Sequence, residues 1–87
     1  MRKNTFEIVN KVLVVADLME LVELTGNVEE YMAETKAIVN YLNYNTNTNV
    51  DKLAEFIHKL FVEYFDECFD METCTMVADC ILKNLGE

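Results

Sequence analysis

Proline is absent from this chain, and its only glycines are Gly26 and Gly86. These two residue types most often stop helices and shape tight turns. A sequence of 87 residues with so few of them lacks the punctuation of a β-sandwich or a loop-rich disulfide scaffold. Long, regular helices are what remain. Apolar residues make up 52% of the chain, enough for a core and too many for a disordered acidic tail. The length sets a single domain over residues 1–87. The expected fold is all-α: a small four-helix bundle, three helices long and one shorter, that associates with itself.

The first segment runs from Thr5 to about Thr25. Ile8, Val12, Val15, Met19 and Val22 recur at alternating spacings of four and three and define one helix face. Val12-Leu13-Val14-Val15 is β-branched enough to begin a buried strand, but the apolar pattern persists for about 20 residues, beyond the usual strand. Gly26 follows at a left-handed cap position. Asn27 is the expected N-cap of the second segment, with Glu29 and Glu30 at the positive end of its dipole. Val28, Met32, Val39 and Leu42 are its apolar positions, with Tyr31 and Ile38 alongside. The tract Asn43-Tyr44-Asn45-Thr46-Asn47-Thr48-Asn49 reads as a loop, because Asn and Thr side chains compete for backbone hydrogen bonds.

Asn49 caps the third segment, in which Leu53, Ile57, Leu60, Phe61, Tyr64 and Cys68 recur down to about Glu67. Asp70 is the expected N-cap of a fourth, carrying Cys74, Val77, Ala78, Ile81 and Leu85 and stopping at Gly86. With no glycine or proline at the join, segments three and four read equally as two helices or one bent one.

Charge narrows the partners. Sixteen acidic residues against seven basic ones give a net charge of −9. The excess is uneven: residues 1–20 carry three charges of each sign, whereas residues 45–87 hold nine acids and three bases. Phosphate binding needs Lys and Arg, so direct nucleic-acid binding is not expected. No stretch has the ~20 apolar residues of a membrane span. A signal peptide is not expected either, because Glu7, Asn10 and Lys11 interrupt the apolar run it needs. Three cysteines cannot all pair within one chain, which fits reduced thiols in the cytoplasm.

The densest acidic stretch holds Glu63, Asp66, Glu67, Asp70 and Glu72 with no base among them. The first four fall at i, i+3, i+4 and i+7, one arc of a helix if the third segment continues that far. Such a stripe matches a basic groove in a nucleic-acid-binding protein; a plain solvated face has the same pattern. Lys52 and Lys59 on the same arc dilute it. Phe56 falls inside this polar arc, and Val62, Phe65 and Phe69 make a second apolar edge. Val14, Leu18 and Leu21 likewise widen the first segment. An 87-residue chain buries only about 60–65% of its unfolded surface, so these edges point to a homodimer or a partner surface, with Phe56 and Tyr64 as aromatic anchors.

Catalytic and metal chemistry find weaker footing. Cys68, Cys74 and Cys80 lie six residues apart, leaving successive sulfurs about 120° apart on a helix, unlike the close pairs of zinc sites. His58 reads as a boundary residue and not a general base. Glu20-x-x-Glu23 and Glu63-x-x-Asp66 each place two carboxylates one turn apart, a geometry that can share Mg²⁺. This pairing resembles, loosely, the all-α NTP pyrophosphohydrolases, which would imply a Mg-dependent nucleotide-cleaving enzyme. The sequence departs from that family in the long interval between the pairs. It also lacks the extra leading glutamate, since Leu18 and Met19 precede Glu20. The expectation is therefore a non-enzymatic interaction protein without metal or cofactor, of the type phages and mobile elements use as inhibitors. It would meet a basic partner through Glu63–Glu72. A homodimeric assembly protein is the alternative.

Overall fold

A computed structural model of the protein describes residues 5–16, 26, 31–65 and 70–86. Four helices are present and, among the described residues, no strand: α1 (Thr5–Ala16), α2 (Met32–Tyr44), α3 (Val50–Phe65) and α4 (Met71–Asn84). The all-α bundle-like fold is thus as expected. Each helix packs mainly against two others, in the ring α1–α2–α3–α4–α1, with α3 and α4 sharing the broadest contact. The core they enclose includes Val9, Leu13, Tyr31, Ile38, Leu53, Ile57, Phe61, Cys74 and Ile81.

Capping chemistry sets several boundaries. The Asn49 side chain accepts from the Lys52 N–H at 2.9 Å, satisfying a donor the first turn of α3 leaves open. Asp70 does the same for the Thr73 N–H at 2.9 Å. Asp70 is extended, with φ −70° and ψ 158°. Segments three and four are therefore two helices, separated before Met71. At the far end Leu85 N–H returns to the Ile81 carbonyl at 3.0 Å, and Gly86 N–H to that of Lys83 at 3.1 Å. Gly26 has φ 72°, the left-handed region expected for it, and Gly86, where the fourth segment was expected to stop, has φ 91°. The Asn/Thr loop is confined to residues 45–49, because α2 keeps Asn43 and Tyr44. It is tied down by Asn45 Nδ2 donating to the Tyr41 carbonyl at 2.8 Å and by a 2.8 Å bond between the Tyr41 and Thr48 hydroxyls.

Two expected faces are rotated. The run Val12–Val15 lies within α1, not a strand. However, the α1 residues that reach the core are Val9 and Leu13, whereas Ile8 and Val12 are half-buried and Val15 is 76% exposed. The stripe read from the four-three spacing is thus displaced about 100° from the buried one. On α2 the buried line is Tyr31, Glu34, Thr35 and Ile38, with Met32, Val39 and Leu42 at its sides. Thr35 fits there because its hydroxyl donates to Asn10 Oδ1 at 3.0 Å and joins α2 to α1. Tyr31 packs on Phe61 with ring centroids 6.3 Å apart. Segment four buries its expected residues: Cys74, Val77, Ala78, Ile81 and Leu85. The continuation of segment one to Thr25, the Asn27 cap, and segment three beyond Phe65 lie outside the described residues.

Candidate interaction surfaces

The α3–α4 junction carries the acidic residues singled out above. Glu63 and Tyr64 are exposed on the last turn of α3, Tyr64 by 48%. Asp70, Met71 and Glu72 are exposed at the start of α4. Only four residues of chain separate Phe65 from Asp70, so these two groups lie at the same end of the helix pair. Asp66 and Glu67 fall between them, outside the described residues.

The i, i+3, i+4, i+7 arc needs correction at its last member. Asp70 is not on the helix that carries Glu63; its extended backbone places it in front of α4. Its carboxylate is engaged there, since the Thr73 hydroxyl and backbone N–H hold it below the usual aspartate range. Asp70 is thus a structural cap as well as part of an acidic end. Among the described residues, no ion pair engages Glu63 or Glu72; the one pair present is Lys83 with Asp79 at 3.2 Å, one turn apart on α4.

Phe56 has a neighbour the sequence did not reveal. It is half-buried and stacks on Tyr41 of α2, with centroids 4.4 Å apart and planes at 20°. Its place in a polar arc is explained by this contact, which covers the flank of α3 facing α2. Val62 remains at that helix's exposed edge, 36% accessible.

A second surface lies where the bundle closes, between its first and last helices. Ile8, Val12 and Val15 of α1 face Met76, Val77 and Cys80 of α4 across a groove of about 420 Å³. Val15 and Met76 stand 76% and 67% exposed on its walls. Among the described residues, Lys11 is the one charged residue that lines it. The signal that could have found it was present: Met76 lies off the stripe of Cys74, Val77 and Ile81, and Ile8, Val12 and Val15 form a stripe of their own.

Little here gathers for chemistry. No group of three or more His, Cys, Asp or Glu side chains converges to hold a metal among the described residues. Of the four carboxylates in the pyrophosphohydrolase-like pattern, only Glu63 is described; Glu20, Glu23 and Asp66 are not. Cys74 is buried and Cys80 exposed, and Cys68 is outside the described residues. His58 is half-buried on α3. No described helix is long and apolar enough to cross a membrane.

Glu34 is the residue hydrophobic patterning missed most plainly. It is 4% exposed, and its Oε1 has no hydrogen-bond partner. Burial raises its pKa, with a hydrogen bond from its own backbone N–H offsetting part of the effect.

No protein-family model matches the chain, and comparisons with curated proteins and with solved structures return no significant match.

Proposed function

We propose that this protein is a small, non-enzymatic interaction module of the cytoplasm that binds a basic, nucleic-acid-binding protein through the α3–α4 end. The observation that carries this reading is the mixture exposed there: Glu63, Asp70 and Glu72 beside Tyr64 and Met71. A partially exposed tyrosine and a methionine supply apolar contact, which dominates interface energetics. The carboxylates steer a cationic partner and exclude acidic ones. An inhibitor that occupies a basic groove in place of nucleic acid needs these two ingredients together. Phe56, already stacked on Tyr41, is not needed as an anchor.

The test is capture of basic proteins from a lysate of the source cells by the intact chain and by a variant with Glu63→Gln, Asp66→Asn, Glu67→Gln and Glu72→Gln. Asp70 is kept, because removing the α4 cap would confound binding with stability. The neutralised variant should lose the captured proteins, and Tyr64→Ala should weaken them. Equal recovery by all three chains would remove the support for the acidic end.

A further inference from the structure

We draw no further inference here: the strongest candidate, the apolar groove between α1 and α4 with Val15 and Met76 exposed on its walls, is an unpartnered face, and nothing in the structure shows what covers it.

Discussion

The α3–α4 end and the α1–α4 seam expose similar apolar side chains in opposite electrostatic settings. Tyr64 and Met71 sit among Glu63, Asp70 and Glu72, whereas Val15 and Met76 line a groove in which Lys11 is the one charge among the described residues. Apolar contact is non-directional and favours almost any partner surface. The charges around it therefore decide the partner: an acidic rim rejects an acidic surface and favours a basic one, whereas a neutral rim makes no such choice.

The sharpest way to break the comparison is to neutralise one side only. Removing the charges of Glu63, Asp66, Glu67 and Glu72 should weaken binding of a purified basic partner by about thirtyfold, at a modest ~0.5 kcal/mol per rim charge. The converse variants, Val15→Glu and Met76→Glu on the α1–α4 seam, should leave partner affinity within threefold. Calorimetry on the partner would give both numbers. If the seam substitutions weaken partner binding as much as neutralising the α3–α4 end does, the two surfaces are not separate.

A subtler perturbation moves a groove wall without touching its lining. Asn10 accepts the hydroxyl hydrogen of the buried Thr35 and holds α1 to α2. Asn10→Ala leaves that hydroxyl unsatisfied and should lower stability by about 1–2 kcal/mol in urea unfolding. It should have little effect on partner binding.

These residues also mark what the sequence could and could not disclose. The fourth segment was legible because Cys74, Val77, Ala78, Ile81 and Leu85 form its one well-defined apolar stripe, and all are buried. The first was ambiguous for the opposite reason. Two stripes lie side by side on α1, and a pattern cannot say which of them the protein's own core takes. The buried line of α2 passes through Glu34 and Thr35, polar residues that no hydrophobic periodicity selects. Phe56 is accounted for only by Tyr41, a contact between helices. At the candidate site the caps were readable at Asn49 and Asp70 from local chemistry. The cap at Asp70 ends the single acidic arc that spacing alone had suggested.

The smallest effects are pH-dependent and opposite in sign. Asp70 has a depressed folded pKa, so its stabilisation is present above the ordinary aspartate range and is lost as pH falls through the folded value. Asp70→Ala should lower Tm by roughly 5 °C at neutral pH, with the difference closing in acid. Glu34 has a raised pKa, so the folded protein favours its protonated form. A penalty then grows as pH rises above the ordinary glutamate range and through the folded value. Glu34→Gln should raise Tm by a few degrees at neutral pH and by almost nothing in acid. Melting curves from acidic to neutral pH would separate the two slopes.

The central claim is that charge at the α3–α4 end selects the partner, and salt tests it most directly. A titration of purified basic partner into the intact chain should show affinity falling at least tenfold from about 50 to 300 mM salt as the attraction is screened. The chain with Glu63, Asp66, Glu67 and Glu72 neutralised should bind weakly throughout, with a much flatter dependence. Equal affinities and parallel salt dependences for the two chains would contradict the account.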